Sequence, residues 1–183
     1  SFAVKPDQGF YIPCGHRYLG APEQMPPAHV IKRLTPVFEN PSLKKIGQNI
    51  KYDWIVLSRH GIGLKGVVFD TMLASYLINP AKRAHNLDQT ALDFLDHKTI
   101  TYEDIAGKGK KALCFSKIPL DKAVPYACED ADITLMAFRV LNKQVEKLGL
   151  SELLQTIEMP LVPVLRDMEM RGILVDRETL NHL

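Results

Sequence analysis

Apolar residues at Val30, Ile31, Leu34, Val37 and Phe38 recur at three- and four-residue intervals, the spacing of one helix face, and Asn40-Pro41 marks where that helix ends. Upstream, residues 1–4 and 10–13 flank Lys5-Pro-Asp-Gln-Gly9, whose Pro and Gly predict a hairpin between two short strands. A Pro-rich connection over residues 22–27 leads into the helix. Residues 43–47 read as a buried strand. Residues 51–60 read as a short amphipathic helix with Trp54, Ile55 and Leu57 turned inward, closed by Gly61. A strand over residues 67–69 then delivers Asp70 and Thr71 to the next helix start, with Asp70 as its N-cap. Beyond this point the pattern is mainly helical: residues 70–78, 86–95, 120–147 and 151–171, with a short strand expected within 100–118. Pro125 either interrupts the third of these helices or opens its main part, and Pro160 and Pro163 are the places for a kink in the fourth. Gly172 ends that helix, residues 173–175 read as a new strand, and Asp176 reads as an N-cap.

Strand and helix alternate first and helices dominate later, so an α/β architecture is expected. A chain of 183 residues with 46% hydrophobic content buries one ordinary core with at most a small appendage. Lys and Arg outnumber Asp and Glu by 23 to 21, so global charge does not mark the chain as a nucleic-acid binder; phosphate attraction must come from local patches. Cys14, Cys114 and Cys128 are odd in number and lack a Cys-x-x-Cys pair, which fits reduced thiols in a cytoplasmic protein. No apolar run approaches the length of a membrane span, so no membrane partner is expected.

Two motifs carry candidate chemistry, Asn49-Ile-Lys-Tyr-Asp53 and Tyr126-Ala-Cys-Glu-Asp130. Residues i and i+4 project from one helix face, so Tyr126 can lean over whatever Asp130 holds. Carboxylates converging from separate elements are what a pair of divalent ions about 4 Å apart needs for phosphodiester hydrolysis. Taken alone, Asp53 reads as a solvated helix residue, Asp130 as one member of a charged face with Glu129 and Asp132, and Tyr126 as a core aromatic. Ala106-Gly-Lys-Gly-Lys-Lys111 could touch phosphates but lacks the spacing of a nucleotide loop, and reads equally as a solvated loop.

Five strings, Lys45-Ile-Gly-Gln-Asn-Ile-Lys-Tyr-Asp53, Phe69-Asp-Thr-Met72, His97-Lys-Thr-Ile-Thr-Tyr102, Tyr126-Ala-Cys-Glu-Asp-Ala-Asp132 and Glu158-Met-Pro-Leu-Val-Pro-Val-Leu165, occur in the order and spacing of one family. The chain resembles the 3'-5' proofreading exonuclease region of bacterial, family A DNA polymerases. The resemblance implies a ribonuclease H-like α/β fold, a mixed β-sheet flanked by helices, with its first, central strand absent from this sequence. It also implies an exonuclease domain over residues 1–150, and a connecting helix and the start of a polymerase domain over 151–183.

By the same resemblance Asp53, Tyr126 and Asp130 are catalytic, with Asp53 and Asp130 ligating metal and Tyr126 orienting the attacking water. Gln48, Asn49, Tyr52, His85 and Tyr102 correspond to positions that contact the single-stranded 3' end of DNA. The implied cofactor is Mg2+ or Mn2+, two ions in the complete site, and the implied reaction releases deoxynucleoside monophosphates. The polymerase domain of the same parent chain is the implied partner. The family's upstream Asp-x-Glu has no counterpart before Asn49 and is expected roughly 15 to 20 residues before Ser1, so the 183 residues by themselves are expected to hydrolyse weakly or not at all. The rival reading is a noncatalytic exonuclease-like scaffold or single-stranded DNA-binding module. A stand-alone exonuclease is disfavoured by the segment 158–176.

Overall fold

The computed structural model describes residues 1–181. Strands β1 (Phe2–Lys5) and β2 (Gln8–Phe10) form an antiparallel hairpin with Phe2 opposite Phe10 and Ala3 opposite Gly9. The second strand starts earlier than the expected residues 10–13. Pro6 and Asp7 close the turn by themselves, Asp7 taking the left-handed conformation (φ 61°), so pairing begins at Gln8 and residues 11–13 run off unpaired. The Asp7 N–H donates to the Asp132 carboxylate at 2.9 Å, tying the hairpin to a helix far along the chain.

Helix α1 (Pro27–Phe38) begins with proline at its first position, where the missing N–H costs nothing, and none of its residues is fully buried. Strands β3 (Lys45–Gly47) and β4 (Val67–Asp70) pair in parallel, Gly47 opposite Asp70, with α2 (Ile50–Arg59) in the crossover between them. Among the described residues the antiparallel and the parallel pair are separate two-stranded sheets.

Helices α3 (Thr71–Ile78), α4 (Leu87–Leu95), α5 (Tyr102–Ala106) and α6 (Leu120–Lys147) follow. No strand forms within residues 100–118. A reciprocal capping box between Thr101 and Asp104 starts α5 instead, and two 3-10 turns complete the segment. Helix α6 runs through Pro125 without a break, so Tyr126 and Asp130 lie in its second and third turns. The proline is exposed, as is Asp121, whose carbonyl loses its helical partner and can turn to water.

The last helical stretch is α7 (Ser151–Leu153), a π-helical turn (Leu154–Glu158) and α8 (Met159–Arg171), ending at Gly172. The wider π turn lies where the Pro160 ring would otherwise meet the carbonyl four residues before it. Residues 173–175 form no strand, having no neighbour to pair with; Asp176 caps α9 (Arg177–Asn181), accepting from the N–H groups of Glu178 and Thr179.

The main core joins Phe69, Ala74, Ala137, Leu141, Val145, Leu154 and Met159, so β4, α3, the C-terminal half of α6 and the 151–171 segment share one interior. Phe69 and Phe138 meet edge to face at 4.9 Å. Helix α8 also braces α2: Val162 packs into a cluster with Ile50 and Leu64, and the Arg166 guanidinium lies 4.6 Å over the Trp54 ring. Among the described residues no single helix is long and apolar enough to cross a membrane.

Candidate active site

The first aspartate is placed by a second one. Asp70, 2% exposed, ends β4 and accepts from four backbone N–H groups: Met72 (2.8 Å) and Leu73 (3.2 Å) at the start of α3, and Asn49 (3.2 Å) and Ile50 (2.7 Å) at the start of α2. Burial still pushes its carboxyl up from the ordinary value, against the pull of those donors. Asn49 takes the left-handed conformation (φ 54°, ψ 49°), which asparagine tolerates better than most residues, and its side chain makes no cap for α2. The expectation of Asp70 as an N-cap is met, and its grip extends to a second helix.

Asp53 follows one turn into α2. It keeps one side open to solvent, yet protein atoms crowd its carboxyl closely enough that burial pushes it up to about 6, helped by the nearby charge of Asp70. Asp130, half-buried on α6, is also pushed up to about 6, first by burial and then by Asp88 and Glu129, while the polar contact with the Tyr126 hydroxyl pulls the other way. The Tyr126 hydroxyl is raised in turn, by burial and by Asp130. The two carboxylates come from separate helices, Asp53 from α2 and Asp130 from α6.

Tyr102 stands beside Tyr126. Its ring meets Tyr126 edge-on at 6.2 Å and stacks on Phe115 at 6.5 Å, and its hydroxyl donates to the Leu113 carbonyl at 2.9 Å. Tyr52, 66% exposed, stands on α2 beside Asp53 in sequence. Gln48 is engaged elsewhere: its amide donates to the His85 carbonyl (2.8 Å) and accepts from the Thr71 hydroxyl (2.5 Å). His85 has Nδ1 at 3.0 Å from the Ser75 hydroxyl and a buried Nε2 with no partner. The structure thus gathers Asp130, Tyr126 and Tyr102, sets Asn49, Tyr52 and Asp53 at the head of α2, and holds Gln48 and His85 to each other.

Two contributors escaped the sequence reading. Asp88, in the first turn of α4, acts on both Asp130 and Tyr126 and accepts from the Thr99 hydroxyl at 2.6 Å; no motif surrounds it. His16 is buried beneath the aromatic group, linking the Tyr11 hydroxyl (2.6 Å) to the Ile118 carbonyl (2.9 Å), with its ring 5.5 Å from Phe115. The aromatic run Tyr11, His16, Tyr18 was its one sequence signal. Glu129 accepts from the Ile100 N–H at 2.6 Å and faces His97 at 2.9 Å. Among the described residues no group of three or more His, Cys, Asp or Glu side chains is gathered as a metal site. A shallow surface depression on α1, lined by His29, Lys32, Arg33 and Pro36, shares no residue with this arrangement.

The family described as 3'-5' exonuclease matches residues 1–146. The chain belongs to this exonuclease family. DNA polymerase I of Pseudomonas aeruginosa is 46% identical over 183 residues, covering 98% of this chain and 20% of that protein. DNA polymerase I of Rhizobium leguminosarum is 40% identical over 181 residues, covering 94% of this chain and 18% of that protein. The chain therefore spans about a fifth of the length of these relatives, as an exonuclease domain of the DNA polymerase I type. Among solved structures, a Pol1 from M. smegmatis in complex with DNA primer-template and dNTP superposes with a TM-score of 0.68 at 24% identity, over 87% of this chain and 24% of that one. Brucella melitensis NrnC superposes with a TM-score of 0.62 at 17% identity, over 85% of this chain and 68% of that one. The fold is ribonuclease H-like α/β, with the hairpin and the parallel pair as its sheet elements in the exonuclease domain.

Proposed function

We propose that this exonuclease domain removes deoxynucleoside monophosphates from single-stranded 3' ends of DNA, as the proofreading part of a cytoplasmic DNA polymerase I. One observation carries the reading: Asp53 on α2 and Asp130 on α6 stand in the two motifs, Asp130 touches the Tyr126 hydroxyl, and burial pushes both carboxyls up to about 6. Carboxyls that burial holds back from ionising are hard-oxygen donors short of positive charge, which fits Mg2+ or Mn2+. Divalent ions held there would supply Lewis-acid stabilisation of the charge that builds on the phosphate oxygens.

The chain's own residues supply position and selection. The Tyr126 hydroxyl, beside Asp130, orients a water toward the terminal phosphodiester. The exposed rings of Tyr52 and Tyr102 offer stacking surfaces that only an unpaired base reaches, so frayed, mispaired ends are favoured. The Asn49 carboxamide, free of any capping role, is available to sugar or phosphate.

The deciding assay follows a 5'-labelled oligonucleotide with Mg2+ and the parent polymerase. Release of single nucleotides from the 3' end, abolished by Asp130→Ala or Asp53→Ala, is the expected result; undiminished release by both variants would overturn the reading. A noncatalytic single-stranded DNA-binding module is the second reading, supported by the lack of a three-residue metal group among the described residues. It requires that the parent protein bind the oligonucleotide without shortening it. For the 183 residues by themselves, two carboxylates are few for two ions, and weak or absent hydrolysis is expected.

A further inference from the structure

The lysine-rich segment between α5 and α6 is not absorbed by the site described above. Residues 107–117 carry Lys108, Lys110, Lys111 and Lys117, all exposed. Lys108 is paired with Glu103 at 2.9 Å, and the neighbouring Asp104 is occupied by the capping box of α5. Among the described residues Lys110, Lys111 and Lys117 have no carboxylate at ion-pair distance, so their charge is left for a partner outside the domain.

This loop is fastened to the aromatic group beside Asp130. Gly107 ends α5 in a left-handed conformation (φ 82°) that turns the chain outward, and the Leu113 N–H then donates back to the Ala106 carbonyl at 2.8 Å. Leu113 also receives the Tyr102 hydroxyl, and the loop closes on Phe115, whose ring lies 6.1 Å from Tyr126. Three unpaired ammonium groups therefore stand on a segment tied to Tyr102 through Leu113 and packed on Tyr126, the partner of Asp130, through Phe115.

We infer that the 107–117 loop is a second phosphate-binding subsite, which takes the single strand as it leaves the site, with Lys110 and Lys111 contacting backbone phosphates beyond the nucleotides that lie against Tyr102 and Tyr126. The inference rests on the proposed reading of the site and adds a length of strand to it. Contacts of this kind carry no base preference, release counterions, and bind more strongly as the strand grows long enough to reach them.

The test measures anisotropy of labelled (dT)4 and (dT)12 with the chain in EDTA, where hydrolysis does not interfere, against the double variant Lys110→Gln and Lys111→Gln. Two lost contacts shrink the dependence of log K on log salt by about 1.4 and weaken (dT)12 binding by about 10- to 30-fold at 0.1 M salt. The expected result is this loss for (dT)12, with (dT)4 binding and the melting temperature unchanged. An unchanged (dT)12 slope, or an equal loss for both lengths, would overturn the subsite while leaving the reading of the site intact. A loss confined to a duplex of the same length would assign the loop to duplex phosphates and overturn it as well. If the unmodified chain binds neither oligonucleotide, the reading of the site fails together with the subsite.

Discussion

The Asp70 carboxylate accepts a hydrogen bond from the backbone N–H of Ile50 at 2.7 Å, across the ends of two parallel strands. That bond sets where α2 begins, and with it where Asp53 projects one turn later. Asp70→Ala leaves four N–H groups to find other partners, two of them at the α3 cap, and is expected to lower stability by at least about 3 kcal/mol. Asp70→Asn, which keeps one carbonyl acceptor, is expected to lose less. Denaturant midpoints of the two variants check this; equal midpoints for Asp70→Ala and the unmodified chain would show the α2 start to be set by other contacts.

Tyr126 opposes the rise in the Asp130 carboxyl, so removing its hydroxyl lets Asp130 hold its proton to higher pH. Tyr126→Phe in the parent polymerase is expected to slow hydrolysis by up to about 100-fold. The acid limb of its pH profile moves upward at the same time. A variant that is slower with an unmoved acid limb would separate the hydroxyl's effect on water from its effect on Asp130.

Both Asp53 and Asp130 are pushed up to about 6, above the ordinary carboxylate value of 3.8. A raised folded-state value means the folded chain gives up these protons less readily than the unfolded chain. Their contribution favours folding below about pH 4 and is lost as pH rises through about 6. Between pH 5 and 7.5 the metal-free chain should therefore lose stability relative to the double variant Asp53→Asn, Asp130→Asn. The difference is of order 1 kcal/mol, Asp53 giving the smaller part because solvent screens its open side. Thermal melts in EDTA show it directly, and added Mg2+ should reverse it for the unmodified chain alone.

A side chain at Gly9 would collide with α6. A Cβ built there falls 2.5 Å from the Cys128 carbonyl oxygen, between the two residues that matter most on that helix, Tyr126 and Asp130. Gly9→Ala is expected to cost about 1 to 3 kcal/mol, since backbone must yield rather than a side-chain end. Hydrolysis by the parent polymerase should fall with it. A variant of unchanged stability and activity would mean the hairpin can shift on α6 without disturbing the site.

The helices were the legible part of the sequence because a 3.6-residue apolar period is a local signal: Pro27–Phe38, Leu87–Leu95 and Leu120–Lys147 lie over the expected residues 30–38, 86–95 and 120–147. The failures have tertiary or very local causes. The hairpin register turned on Pro6-Asp7 alone, and the segment 100–118, where a strand was expected, is organised by the Thr101–Asp104 capping box and two 3-10 turns. Of the candidate site, Asn49, Asp53, Tyr126 and Asp130 stand in motifs and are proposed from the sequence by likeness. Asp88 and the four-donor role of Asp70 are not, because what they do depends on neighbours brought close only by folding.

Helix α6 carries Asp130 near its front and Leu141 and Val145 in the main core behind, on one uninterrupted rod of 28 residues. Eleven residues separate Asp130 from Leu141, a lever arm of about 16 Å, over which a tilt of about 5° swings the carboxylate by about 1.4 Å. Displacements near 1 Å can cost about 100-fold in rate. On the proposed function, a cavity opened at Leu141 would then read out as slowed hydrolysis long before the domain unfolds, so a loss of activity can originate in a residue of the main core, a lever's length from Asp130.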